Sequence, residues 1–277
     1  MLTRFAPSPT GHLHLGHIYA AKVARDTARA AGGKYLLRFE DIDTTRARPE
    51  FYSAILEDLD WLNLSPDATP IRQSDRASAY AIALEKLKSL GVVYPCFCTR
   101  KQIEQELASI TNAPHGPEGA LYPQTCRNLT EEQISTHISA GEIPSWRIHT
   151  HRAAELSGEL TFNDKKAGIT KVNPHLLGDV ILARKDIGTS YHIAVVVDDA
   201  FQNITHITRG EDLLHATHLH RVLQKILHLP EPQYYHHPLV CDQNGKRLAT
   251  RDKAMSIRTL REEGKSPEQI LKMIPQI

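Results

Sequence analysis

The sequence predicts an α/β fold, a core of parallel strands and helices interrupted by an insertion and closed by a small C-terminal piece. Three observations predict it. A short apolar strand pattern at residues 2–6 passes through a Pro/Gly turn into a helical pattern at 15–31, and a second strand pattern follows at 34–39. A helix between two strands is the crossover that parallel strands require. From Tyr94 to about Pro174 the texture changes to clustered cysteines, a Pro/Gly-rich loop and mixed strand patterns, and strands resume at 180–184 and 204–209. At 277 residues, 41% apolar and 23% charged, the chain can hold one large domain with a sizeable insertion.

Each element has a local cause. In the helix at 15–31, Leu15, Ile18, Ala21 and Ala28 recur on a roughly helical period, and Gly32-Gly33 stops it. The strand at 34–39 ends in the acidic turn Glu40-Asp41-Ile42-Asp43. Residues 49–63 and 75–90 form two amphipathic helices, the second stopped by Gly91. Thr130 and Gln133 have capping-box spacing and start a helix inside the insertion. Residues 211–228 form another helix, Pro230 and Pro232 break the chain, and a short tail runs to Ile277. The expected division is a discontinuous nucleotide-binding core at 1–94 and 175–235, an insertion at 95–174 and a C-terminal piece at 236–277. No run of about eighteen apolar residues is present, so no membrane span is expected. The N-terminus lacks a signal-peptide pattern, and a cytoplasmic protein is expected. Separately, it is expected to be a monomer. A net charge of +1 predicts no broad polyanion-binding surface, although a local patch depends on distribution and not on the sum.

Two clusters carry chemistry. His14-Leu15-Gly16-His17 sits at the start of the first helix. Unpaired N–H groups and the positive end of the dipole favour phosphate there. Gly16 lets a nucleotide approach the backbone, and His14 and His17 can donate to phosphate oxygens. The second cluster is Cys96, Cys98 and Cys126. Residues two apart on an extended segment share a face, and three thiolates gather a soft tetrahedral metal such as zinc. His115, in the same loop, is a physical candidate for the fourth ligand. Cys241 stands apart and is expected to be a core thiol. His215, His218 and His220 are expected on a solvated helix surface, 215 and 218 sharing a face that 220 does not.

Four segments occur in order: Arg4-Phe5-Ala6-Pro7-Ser8-Pro9-Thr10-Gly11 before the histidine pair, Arg38 to Asp43, Tyr191 to Asp199, and Ile207 to Asp212. Together they resemble the Rossmann-like catalytic domain of glutamyl-tRNA synthetases, a class I aminoacyl-tRNA synthetase family, over roughly residues 3–258. The resemblance implies activation of L-glutamate by ATP with Mg²⁺. His14, Gly16 and His17 would serve ATP and catalysis. Arg4, Phe5, Ala6, Pro7, Ser8, Glu40, Tyr191 and Arg209 would form the glutamate site. Arg4 and Arg209 suit a carboxylate through bidentate contacts, and Glu40 suits an α-ammonium. Tyr191 would orient the amino acid, and Ser8 would cap it with a hydroxyl.

The chain departs from that family in two places. The mobile loop that holds the ATP phosphates reads KMSKS or KLSKR in the family. Here Gly245-Lys246-Arg247-Leu248-Ala249-Thr250-Arg251 aligns with it, in a register set by Ala254-Met255-Ser256-Ile257. Arg247 falls at the first lysine and Thr250 at the second. Lys246, Arg247 and Thr250 are expected on ATP, Arg247 and Arg251 in the catalytic set, and Lys246, Arg251 or Lys253 can substitute for the absent ammonium. A catalytically silent RNA-binding paralogue is the contrasting expectation. Only about twenty residues follow the loop, where a full synthetase carries an anticodon-binding region. This shortness, with C-x-C followed by Y-x-x-x-C, is similar to the glutamyl-Q tRNA(Asp) synthetase family. That resemblance implies tRNA-independent glutamate activation and transfer to queuosine in the anticodon stem-loop of tRNA(Asp). It also implies one structural Zn²⁺ on Cys96, Cys98, Tyr122 and Cys126. Transfer to an ordinary tRNA acceptor end is the alternative.

Overall fold

A computed structural model describes residues 1–109, 115–117, 119–241 and 256–276. The chain opens with β1 (Leu2–Phe5), α1 (Leu15–Ala30), β2 (Lys34–Phe39), α2 (Pro49–Trp61), β3 (Ile71–Arg72), α3 (Ala77–Ser89) and β4 (Val93–Cys96). It continues through α4 (Arg100–Ser109), β5 (His115–Gly116), β6 (Gly119–Ala120), α5 (Glu131–Ser139), β7 (Ser145–Ile148), α6 (Thr150–Ser157), β8 (Thr161–Asp164) and β9 (Gly168–Lys171). It closes with β10 (Ile181–Ala183), α7 (Tyr191–Phe201), β11 (His206–Gly210), α8 (Leu214–Leu227), β12 (Gln233–His237), α9 (Ile257–Glu262) and α10 (Pro267–Lys272). Short 3-10 turns, Gln73–Arg76 and Glu211–Leu213, lead into α3 and α8.

The strand–helix–strand unit forms as expected: β1 and β2 are parallel, with Leu2 opposite Lys34, and β3 extends the sheet beyond β2. On the free side of β1, Thr205 N–H donates to the Leu2 carbonyl at 3.0 Å and brings β11 alongside. β11 pairs in parallel with β12. The hairpin β8–β9, within the expected insertion, meets the far edge of β12. β10, β7 and β4 make a separate antiparallel sheet.

Period-two alternation divides the core. Tyr35, Leu37 and Phe39 of β2 enter a cluster with α1, α2, α9 and α10, whereas Leu36 turns to the cluster built by α3, α7 and α8. Each cluster buries its helices' apolar faces at roughly 25 cal/mol per Å² of apolar surface. Cys241 is exposed, so it is not the core thiol expected from the sequence.

Two buried carboxylates on α7 fasten the layers. Asp199 accepts from Arg4 Nε of β1 and Arg38 Nη1 of β2, each at 2.8 Å. Asp198 accepts from Gln73 Nε2 (3.1 Å), Arg76 Nε (2.6 Å) and Tyr80 Oη (2.7 Å). Burial alone would raise the Asp199 pKa, but Arg4 and Arg38 outweigh it and hold the carboxyl below its ordinary range. Asp199→Asn is expected to lower unfolding stability by about 3–5 kcal/mol, because two buried guanidiniums lose their shared anion. Urea titration measures this. A lowered folded pKa means that the Asp199 contribution is present above the unfolded value of about 3.9 and is lost as pH falls through the folded value. The stability gap between wild type and Asp199→Asn should therefore hold at neutral pH and shrink below about pH 3.9.

Candidate active site

The first signature builds a reciprocal cap on α1. His14 Nδ1 accepts from Gly16 N–H at 3.1 Å, and His17 Nδ1 accepts from His14 N–H at 3.3 Å. The two rings stack with centroids 3.7 Å apart. Both Nδ1 atoms accept, so the ring protons sit on Nε2. A Cβ on Gly16 would come within 3.0–3.1 Å of the His14 ring, so the glycine is also needed for this stack. The α1 end meets the C-terminal piece directly: Ile257 N–H donates to the Leu13 carbonyl at 2.8 Å, and His14 bridges Ser256. Lys246, Arg247, Thr250, Arg251 and Lys253 lie outside the described residues.

His14, Gly16 and His17 share one cavity of about 360 Å³ with Arg4, Phe5, Ala6, Glu40, Tyr191 and Arg209. Arg4, Glu40 and Arg209 lie at or just beyond the C-terminal ends of β1, β2 and β11, where open α/β sheets bind ligands. Two expected residues stand apart. Pro7 is buried, and its carbonyl accepts from Glu40 N–H at 3.0 Å, so it supports Glu40 from behind. Ser8 is exposed and lines an adjoining cavity of about 490 Å³, which shares Glu40 and Tyr191 with the first. Burial raises the Glu40 carboxyl pKa against the pull of Arg38 and Arg4.

The two arginines differ in their company. Arg4 is spanned by Asp199 and the Thr208 carbonyl (3.1 Å). Arg209 donates to His236 Nε2 (3.0 Å), Tyr191 Oη (3.2 Å), His220 Nδ1 (3.1 Å) and Thr217 Oγ1 (2.6 Å). His236 in turn holds Asp164 Oδ2 at 2.7 Å. His220 is thus buried and faces the site, which corrects the expectation of a solvated histidine face. His218 is half-buried, its Nδ1 accepting from Asn173 N–H at 2.9 Å, and His215 is half-buried too. Sequence reasoning missed Thr217, His220, His236 and Asp164. The available signal was the offset of 220 from the 215/218 face, which turns it towards β11.

The Cys96, Cys98 and Cys126 sulfurs lie within 4.8 Å of one another. Tyr122 Oη is 3.3 Å from Cys96 Sγ and 3.5 Å from Cys98 Sγ. His115 is exposed in the β5–β6 hairpin, outside this group. Three thiols and a phenol at this spacing fit a soft tetrahedral cation. Behind them Arg147 donates to Cys96 Sγ (3.2 Å) and to the Asp179 carbonyl (2.8 Å), with its guanidinium 3.7 Å over the Tyr122 ring. Hydrogen bonds from Cys126, then Tyr122 and Arg147, outweigh burial and hold the Cys96 thiol low, while burial pushes the Tyr122 phenol up and the contact with Cys96 pushes the Cys126 thiol up, so Cys96 is the member of the set poised as a thiolate.

The family model for class I tRNA synthetases (E and Q), catalytic domain, matches residues 1–277. A solved glutamate tRNA ligase from Elizabethkingia meningosepticum, in complex with its amino acid, superposes with a TM-score of 0.75 at 30% identity. The match covers 91% of this chain and 52% of the ligase, so the chain spans about half the ligase's length. The chain belongs to the class I tRNA synthetase family, with that family's α/β catalytic fold. A protein from Rhodobacter capsulatus is 47% identical over 99% of both chains, and one from Nitratidesulfovibrio vulgaris is 43% identical over 94% of this chain and 81% of its own. Both are glutamyl-Q tRNA(Asp) synthetases, and within the family this chain falls among them. No helix among the described residues is long and apolar enough to cross a membrane.

Protein purified without chelators should carry a thiolate-bound metal, and Arg147→Gln should lower its affinity by about 10–100-fold, the usual effect of losing a partner behind a ligand. Competition against a chromophoric chelator measures both.

Proposed function

We propose that the chain condenses L-glutamate with ATP, without tRNA, and passes the glutamyl group to the queuosine base at the wobble position of tRNA(Asp). The carrying observation is the convergence of Arg4, Glu40, Tyr191 and Arg209 on the cavity that also holds His14 and His17. Near-full-length similarity to glutamyl-Q tRNA(Asp) synthetases supports the acceptor. In this reading Glu40 holds the α-ammonium, while Arg4 and Arg209 hold carboxylate. The attacking carboxylate oxygen displaces pyrophosphate from the α-phosphorus of ATP. A queuosine hydroxyl then attacks the glutamyl carbonyl, AMP leaves, and an ester forms. The Nε2 protons of His14 and His17 suit charge building on the phosphates. The reaction needs positioning and charge neutralisation more than covalent help.

Mg²⁺ accompanies ATP as part of the substrate. Lys246, Arg247, Thr250 and Arg251 complete the phosphate clamp in this proposal. Zn²⁺ on Cys96, Cys98, Tyr122 and Cys126 would cross-link the insertion. Four protein ligands leave no open position, so its role is structural. In this reading the protein acts in the cytoplasm, where thiols stay reduced, and as a monomer.

Glutamate-dependent ATP–pyrophosphate exchange without tRNA tests the first step. Absence of exchange, with or without tRNA, would sink it. Charging of tRNA(Asp) with and without queuosine tests the second, and equal charging of both would assign the acceptor to the ordinary tRNA end. Arg209→Ala is expected to lower kcat/KM for glutamate by about a hundredfold or more, since a buried charged contact is lost from the transition state.

A further inference from the structure

Arg209 is 6% exposed, yet its surroundings differ from those of Arg4 and Arg38 on the neighbouring strands. Arg4 and Arg38 share the Asp199 carboxylate. Among the described residues, every hydrogen-bond partner of the Arg209 guanidinium is a neutral acceptor: His236, Tyr191, His220 and Thr217. An arginine can only donate, so it dictates the tautomers around it. His220 must offer the Nδ1 lone pair, which puts its proton on Nε2, 3.1 Å from His192 Nδ1. His236 must offer Nε2, which puts its proton on Nδ1, facing Asp164 Oδ2. The nearest carboxylate in this chain of contacts is therefore one imidazole away from the cation.

We infer that His220 and His236 are positioning residues that cradle Arg209 by lone pairs alone, so that its buried charge is left for a substrate carboxylate and a carboxamide is rejected. Both rings are kept neutral as this requires. Burial, reinforced by Arg209, pushes His220 well below the ordinary histidine value and His236 to about 4, although Asp164 pulls His236 upward. A carboxylate approaching Arg209 gains a charge-assisted contact in a desolvated site. Four of the five Arg209 N–H groups are taken, so a carboxamide can offer its oxygen to the fifth, but it brings no charge to the cation, and its N–H₂ needs an acceptor that Arg209 cannot be. A carboxylate installed at residue 220 would satisfy the cation internally and remove the selection. This inference rests on the glutamate reading of the cavity.

The test compares three variants with wild type, in equilibrium binding of L-glutamate and L-glutamine and in ATP–pyrophosphate exchange. His220→Glu is expected to raise KM for glutamate by about 10–100-fold, to narrow the preference over glutamine, and to leave KM for ATP unmoved. His220→Leu removes the acceptor and is expected to weaken glutamate binding. His220→Asn places a neutral oxygen at the Nδ1 position again and should keep KM for glutamate within about threefold of wild type. If His220→Glu does not fold, the Leu and Asn pair decides: equal behaviour overturns the cradle. An unchanged KM for glutamate in His220→Glu also overturns it, as does a parallel rise in both KM values. Wild type that binds neither amino acid overturns the glutamate reading and the cradle together. Wild type that binds both equally overturns the cradle alone.

Discussion

One carboxylate holds together the two strands that begin the site. Asp199 lies on α7, and its two guanidinium partners come from neighbouring strands of the parallel sheet. With 3% of its surface exposed it has little access to water, so each ion in the group depends on the others. The constraint reaches along the helix. Tyr191 is eight residues before Asp199, about 12 Å along the axis at 1.5 Å per residue. Fixing Asp199 against β1 and β2 therefore fixes how far Tyr191 projects into the cavity. Asp198, one residue earlier, anchors the same helix to α3 and to the turn before it. A helix held at two adjacent carboxylates by two different layers cannot slide without breaking one of them.

Features encoded within a few residues were legible in the sequence. The β1–α1–β2 unit, the α1 cap residues, the Thr130–Gln133 capping box and the cysteine group all follow from local spacing. What sequence reading could not supply comes from tertiary partners. His220 sits among polar letters in His215-Ala216-Thr217-His218-Leu219-His220, which suggests a wet face. It is buried because β11 delivers Arg209 to it, eleven residues back along the chain. Asp164 ends β8, and its Oδ1 accepts from Lys166 and Ala167 N–H in the turn that follows. Its second role, under His236, appears only when β8 pairs with β12. Pro7 and Ser8 lie beyond the end of β1 at Phe5, where the chain turns: Pro7 passes behind Glu40, and Ser8 reaches the adjoining cavity.

Arg38, Arg4 and Arg209 form a graded series in which environment, more than residue type, sets the role. Arg38 is fully buried, 2.8 Å from Asp199, with Asp198 and Glu40 at 3.9–4.0 Å. Its charge is spent inside the protein, and it is a structural group. Arg4 shares Asp199 but also lines the cavity. Arg209 is supported by neutral groups and lines the cavity as well. Net attraction for an anion should therefore grow from Arg38 through Arg4 to Arg209, across three side chains with the same guanidinium.

The same logic ties the cysteine group to the site at a distance. Arg147 divides its hydrogen bonds between Cys96 Sγ and the Asp179 carbonyl. The Asp179 carboxylate collects Tyr94, Arg127 and Thr150. Residue 179 is two positions before β10, whose Ile181 lines the cavity that adjoins the glutamate pocket. β10 leads through residues 184–190 to Tyr191. Nε of Arg147 serves the sulfur and Nη1 the carbonyl, so one planar guanidinium holds the cysteine group in fixed relation to the strand that leads to Tyr191.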